Sequence, residues 1–302
     1  MPLRSLVVAA AAVVVLLATA GCTAEEPEPP PVPRYASLLP DPDPDDFDPG
    51  LIVSDDSFYN ADAMTATQVQ HFFESRRCTP SDGVPCLADY REDTPDKAAE
   101  EDGHCDAYEG TRRELASTII AKVAQACGVS PRALLVLLQK EQSLVTHPSA
   151  YGYDRATGYA CPDGADCDTR YFGFFNQVYA AAWQFRQYTQ YTERRYEVGA
   201  NDVQFHPDPG CGAASVVIRN QATAGLYNYT PYQPNEATLD DPGSGDGCSA
   251  WGNFNFWRIW HRWFGDPLAE RFDAFFPPCA NLADGQACPV EPAWPLGTAG
   301  RG

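Results

Sequence analysis

The sequence predicts a mostly α-helical domain, stapled across its loops by disulfides and exported from the cytoplasm. Three observations carry that expectation. Several segments repeat apolar residues at three- and four-residue spacing, as one face of a helix does, and strand-like alternation is scarce. The chain opens on a basic start and an apolar run that ends at small residues. Beyond that point ten of the eleven cysteines remain, an even set.

The N-terminus comes first. Met1 to Arg4 is short and basic, Leu6 to Ala20 is almost unbroken in its apolarity, and Thr19-Ala20-Gly21-Cys22 follows. This is the anatomy of a secretory signal. The apolar run is short of the ~20 residues that a membrane span needs. Small residues before a cysteine resemble a lipoprotein signal, in which Cys22 is acylated and becomes the first residue; Thr19 stands where an aliphatic residue is usual. Residues 1–22 are therefore read as signal and lipid-anchor cysteine, with simple secretion as the alternative.

The exported cysteines are expected to form disulfides. Short loops are the easiest to close. Neighbour pairing gives Cys78–Cys86, Cys105–Cys127, Cys161–Cys167, Cys211–Cys248 and Cys279–Cys288. No CxxC occurs, and His71, His104, His147, His206 and His261 show no ligand spacing, so neither a metal nor a cofactor is expected. The net charge of −20 disfavours nucleic acid as a partner. A monomer is expected.

Residues 23–49, rich in Pro, Glu and Asp, read as an acidic spacer that cannot bury enough apolar surface to fold. Extended, such a segment reaches roughly 80 Å. The folded domain is expected over 50–266, starting near Leu51. Thr65-x-x-Gln68 is a capping box opening a helix over 66–75, with Val69, Phe72 and Phe73 on its apolar side. Leu115, Ile119, Ile120 and Val123 mark a helix over 111–126, which Gly128 stops. Ser130-Pro131 caps and starts the next, running to about Val145 before His147-Pro148. A loop with two cysteines follows over 146–170. Further helices are expected over 175–191, 215–227 and 253–264. The last carries Trp257, Trp260 and Trp263 at helical spacing, read as core. Residues 267–302 read as a tail with one cystine loop.

Glu141 is the candidate catalytic residue. It follows Leu134, Leu137 and Leu138 at offsets of seven, four and three, which centres it on the apolar face. Burial disfavours the charged form of a carboxyl. An acid that holds its proton near neutral pH is what protonation of a glycosidic oxygen requires.

Three segments then carry a resemblance. The helix ending in QKEQS around Glu141, the segment Tyr171-Phe-Gly-Phe-Phe-Asn176-Gln177, and the segment Ala224-Gly-Leu-Tyr227-Asn228 are similar, in order and rough spacing, to segments of the lysozyme-like superfamily. Lytic transglycosylases and related glucosaminidases are the nearest in kind. The span 51–265 also resembles actinobacterial secreted proteins labelled haemagglutinin-like. The first resemblance implies a lysozyme-like helical domain that cleaves the β-1,4 glycosidic bonds of peptidoglycan glycan strands. Glu141 would be general acid and base, and Tyr171, Asn176, Gln177, Tyr227 and Asn228 would bind substrate. A hydrolase would want a second carboxylate, for which Asp154, Asp163, Asp166 and Asp168 on the loop are the candidates. The second resemblance leaves open a lipoprotein that binds glycan or protein without cutting.

Overall fold

The structure is a computed structural model that describes residues 38–100, 103–191 and 193–270. Cys22, Cys279, Cys288, most of the spacer and the tail from 271 lie outside the described residues. The described part belongs to one compact unit.

The fold is mainly helical. Helices α1 (Asp55–Phe58) and α2 (Ala66–Glu74) come first, and α2 starts on the expected capping box between Thr65 and Gln68. Strand β1 (Arg91–Glu92) then pairs antiparallel with β2 (Glu114–Leu115). Helix α3 (Ala116–Cys127) starts five residues later than its periodicity predicts, because the residues before it are used in that pairing. Gly128 ends α3 at φ 65°, donating its N–H to the Ala124 carbonyl.

Helix α4 (Pro131–Gln142) opens on the Ser130 cap and Pro131, as its sequence predicts. It ends at Ser143 rather than Val145. Ser143 turns left-handed at φ 53° and gives its N–H to the carbonyls of Leu138 and Gln139. Leu134 to Leu138 are all buried, so α4 is apolar nearly all round and forms the central element. Helices α3 and α9 pack against it.

Short α5 (Ala150–Asp154) and long α6 (Phe174–Gln190) follow. Strands β3 (Gly199–Gln204) and β4 (Ala213–Ile218) form an antiparallel hairpin. This corrects the helix expected from Ser215. Val216, Val217 and Ile218 are β-branched and extend the chain there, and the helix, α7 (Gln221–Tyr229), starts only at the Asn220 cap. After α8 (Glu236–Asp240), α9 (Gly252–Phe264) buries Trp257, Trp260 and Trp263 in the core. The entry segment lies against the exit of α9. Leu39 donates to the Arg262 carbonyl, Ser54 to that of Pro267, and Phe47 packs edge-on against Phe254 and Trp257.

Four of the expected disulfides are present: Cys78–Cys86, Cys105–Cys127, Cys161–Cys167 and Cys211–Cys248. They belong to an oxidising compartment outside the cytoplasm. Among the described residues no helix is long and apolar enough to cross a membrane.

Candidate functional site

Glu141 sits in the last turn of α4, just before the left-handed Ser143 redirects the chain. It is not sealed in the core. Its side chain is 23% exposed and opens into a cavity of about 490 Å³. The walls are the loop Gly158–Asp163 on one side and the exit of α7, Tyr229 to Tyr232, on the other.

Its immediate partner is Lys140, whose ammonium meets Oε1 and also donates to Thr230 Oγ1 at 2.8 Å. Lys140 is itself buried. Glu141 is thus half of an ion pair, not the isolated buried acid that its place on the apolar face suggests. Oε2 faces Gly158. A Cβ at that position would stand 3.1 Å from Oε2, and φ there is +71°, so both space and backbone call for glycine.

Two tyrosines complete the walls. Tyr229 stacks on Phe185 with ring centroids 4.9 Å apart, and its hydroxyl donates to the Thr157 carbonyl at 2.9 Å. Burial, and then the nearby charge of Glu141, push the Tyr229 phenol well up. The Tyr232 hydroxyl donates to Asp163 Oδ2 at 2.9 Å; burial and that carboxylate raise it to about 12. Cys161–Cys167 staples the loop that carries Asp163.

Gln177 holds this loop in place from α6. It is fully buried. Its Oε1 accepts the N–H groups of Thr157 at 3.2 Å and Tyr159 at 3.1 Å. Its Nε2 donates to the carbonyls of Tyr159 at 3.0 Å and Tyr171 at 2.9 Å. All four polar positions of the amide are used on backbone, which corrects its expected role as a substrate ligand.

The other expected ligands divide. Tyr227 is fully buried and gives its hydroxyl to the Pro49 carbonyl at 3.0 Å, so it belongs to the core. Asn228 ties α7 to Tyr196, donating to the Tyr196 carbonyl and accepting its N–H. Neither lines the Glu141 cavity. Tyr171 and Asn176 line a different, adjoining cavity of about 280 Å³, where the Asn176 amide donates to the Phe172 carbonyl. Of the loop carboxylates, Asp163 reaches the Glu141 cavity. Asp168 is instead bound by Arg170, and Asp154 and Asp166 do not line that cavity.

The sequence reading missed Lys140, Gly158, Tyr229 and Tyr232. A signal for Tyr229 was present. Residues 227 and 229 lie two apart on one helix, about 200° around it, so one of them had to face away from any shared site.

A second pair of carboxylates, buried Glu114 and half-buried Glu92, sits on the β1–β2 pair. Glu114 accepts from Lys122 at 2.7 Å and from the hydroxyls of Thr94 and Tyr108. Burial raises its pKa, but these donors outweigh burial and hold it below the usual range. Glu92 accepts the Phe175 N–H at the start of α6 and the Tyr90 hydroxyl, yet burial keeps its pKa raised. Both join β1 and β2 to the helices, and neither lines the Glu141 cavity.

A family model described as LasA, N-terminal domain, matches residues 51–275, most of the chain. No curated protein and no solved structure matches.

Proposed function

We propose that this chain, which belongs to the LasA N-terminal domain family, is an exported enzyme that cleaves β-1,4 glycosidic bonds in peptidoglycan glycan strands. The observation that supports this reading is the opening of Glu141 into a walled cavity with Tyr229, Tyr232 and Asp163 around it. The domain is read as a lysozyme-like helical fold on the same ground: a carboxyl at the end of a buried helix, facing a glycine-containing loop.

In the mechanism, Lys140 occupies Oε1 and leaves Oε2 toward the cavity. Oε2, once protonated, gives its proton to the glycosidic oxygen as the bond to the anomeric carbon breaks. The tyrosine rings offer flat apolar faces to the sugar. The carboxylate then takes a proton from the incoming nucleophile. That nucleophile is the sugar's own 6-hydroxyl in a transglycosylase, or water in a hydrolase, where Asp163 would assist from the opposite wall. A lipid on Cys22 would hold the monomeric domain at the membrane surface, with the acidic spacer between.

A second reading has its own support. The buried Lys140 pins Glu141, as it would in a domain that holds glycan or protein without cutting it. Glu141→Gln separates the two. On the first reading the purified chain releases soluble muropeptides from sacculi, and the variant does not. Equal release by both removes Glu141 from the chemistry. Binding to sacculi without release by either favours the second reading. Mass spectrometry of the products distinguishes anhydro from reducing ends.

A further inference from the structure

The cavity of about 280 Å³ next to the Glu141 site is built differently from it. Aromatic rings make its walls: Tyr159, Tyr171, Tyr179 and Trp183. Tyr159 and Tyr171 meet edge-on at 4.9 Å. Its polar groups are mostly donors. Lys97 stands with its ammonium 5.3 Å from the centroid of the Tyr179 ring, and among the described residues it makes no ion pair. Tyr179 is 7% exposed, and its buried hydroxyl has no hydrogen-bond partner among the described residues. A buried polar group left unmet is costly, and a native fold seldom keeps one without use. Arg170 adds a guanidinium whose Nε and one terminal nitrogen are bound by Asp168. Glu100 is the carboxylate in the lining, and the Trp183 indole N–H already engages it.

We propose that this cavity is a binding site for a carboxylate carried on an organic group, received by the Lys97 ammonium and the Tyr179 hydroxyl. A cation and a buried hydroxyl supply charge-assisted bonds to the two oxygens. The rings receive the apolar body that carries them. A free phosphate would leave the aromatic walls unused.

Consecutive residues of one loop line this cavity and the Glu141 site. Gly158 lines one and Tyr159 the other, and Gln177 accepts the N–H groups of Thr157 and Tyr159, on either side of Gly158. One polymer can therefore occupy both. Only the identity of that polymer rests on the reading of Glu141: on a wall strand, the carboxylate is either the lactyl group of an acidic amino sugar or the end of its peptide.

The Trp183 indole N–H serves as reporter, because Trp183 lines the cavity and its N–H bonds to Glu100 of the same lining. The exported chain, carrying isotope-labelled tryptophan, is titrated and the Trp183 signal, assigned by Trp183→Phe, is followed by NMR. The probes are N-acetylmuramic acid, N-acetylglucosamine, acetyl-D-alanyl-D-alanine and inorganic phosphate. One or both carboxylates shift the signal, and which of them binds tighter identifies the source. N-acetylglucosamine, with no carboxylate, and phosphate leave it in place. Lys97→Met weakens the carboxylate by about tenfold or more. Tyr179→Phe weakens it while leaving thermal stability equal or higher, since it deletes an unmet hydroxyl. A Trp183 signal unmoved by both carboxylates overturns the proposal, as does phosphate binding at least as tightly, or Lys97→Met binding like the parent. Wall cleavage without a shift at Trp183 overturns this site alone. A shift that persists in Glu141→Gln, in a chain that cleaves no wall, supports this site and overturns the reading of Glu141.

Discussion

Replacing Gln177 by Met tests whether one buried amide sets the shape of the loop beside Glu141. Met keeps the length and flexibility of the side chain and removes both of its polar atoms. Four backbone groups then lose their partner: the N–H groups of Thr157 and Tyr159 and the carbonyls of Tyr159 and Tyr171. Each buried group left unmet costs about 1–3 kcal/mol. Thr157 is fully buried and has no route to water, whereas Tyr159 and Tyr171 are half-buried and can be rehydrated. The net loss is therefore set by one or two groups, about 2–4 kcal/mol, a sizeable share of a typical domain stability. Urea denaturation should show a lower midpoint at an unchanged slope. Amide exchange at Thr157 and Tyr159 should quicken, while the α4 amides stay protected. A loss below about 1 kcal/mol, or unchanged exchange at those two amides, would refute the idea that Gln177 holds the loop.

Other perturbations probe the same architecture. Gly158→Ala puts a Cβ against Glu141 Oε2 at a positive φ, so it should cost about 1–2 kcal/mol of stability and lower wall release by more than that loss explains, measured on the same preparation. Removing the Cys161–Cys167 bridge by a double Ser substitution frees a short loop; denaturant titration should show a loss of about 2 kcal/mol. Glu114→Gln should cost about 1–3 kcal/mol near neutral pH, because it leaves Lys122 without its charge partner. The folded state holds the Glu114 pKa down. Its contribution is therefore present above the unfolded value of about 4.3 and lost as pH falls through the lower folded value, so parent and variant should converge in acid. Glu92 has the opposite sign. Its raised pKa favours the folded state as pH falls, and Glu92→Gln should recover stability at neutral pH relative to acid, read from denaturation midpoints across pH.

Much of the helical frame was legible because it rests on local signals. The Thr65–Gln68 box, Gly128 and Ser130-Pro131 each act within one turn of chain, and each marks the helix end that it predicts. The four described disulfides were legible for a similar reason, since each closes a short loop. The hairpin β3–β4 was not. Its pairing joins residues nine to nineteen apart, and its β-branched end ran into a helix without a visible break. The site was partly legible. Glu141 could be found by its offset from three leucines, but its neighbours are set by long-range contact. Lys140 meets Thr230, and Tyr229 meets Thr157, ninety and seventy-two residues away. Gln177 was picked out as special for the wrong reason, because a buried amide that organises backbone looks, in sequence, like one that binds a ligand.

The contacts of Leu39 with Arg262 and of Ser54 with Pro267 have a mechanical consequence. They tie the first described residues to the end of α9 and to the chain that leaves it. A pull between residues 38 and 270 is met by these backbone bonds and by the Phe47 contacts with α9. It is also met by the ion pair of Glu270 with Arg132 in the first turn of α4, the end opposite Glu141. Load of this kind therefore enters α4 at its start, while the Glu141 cavity lies at its other end.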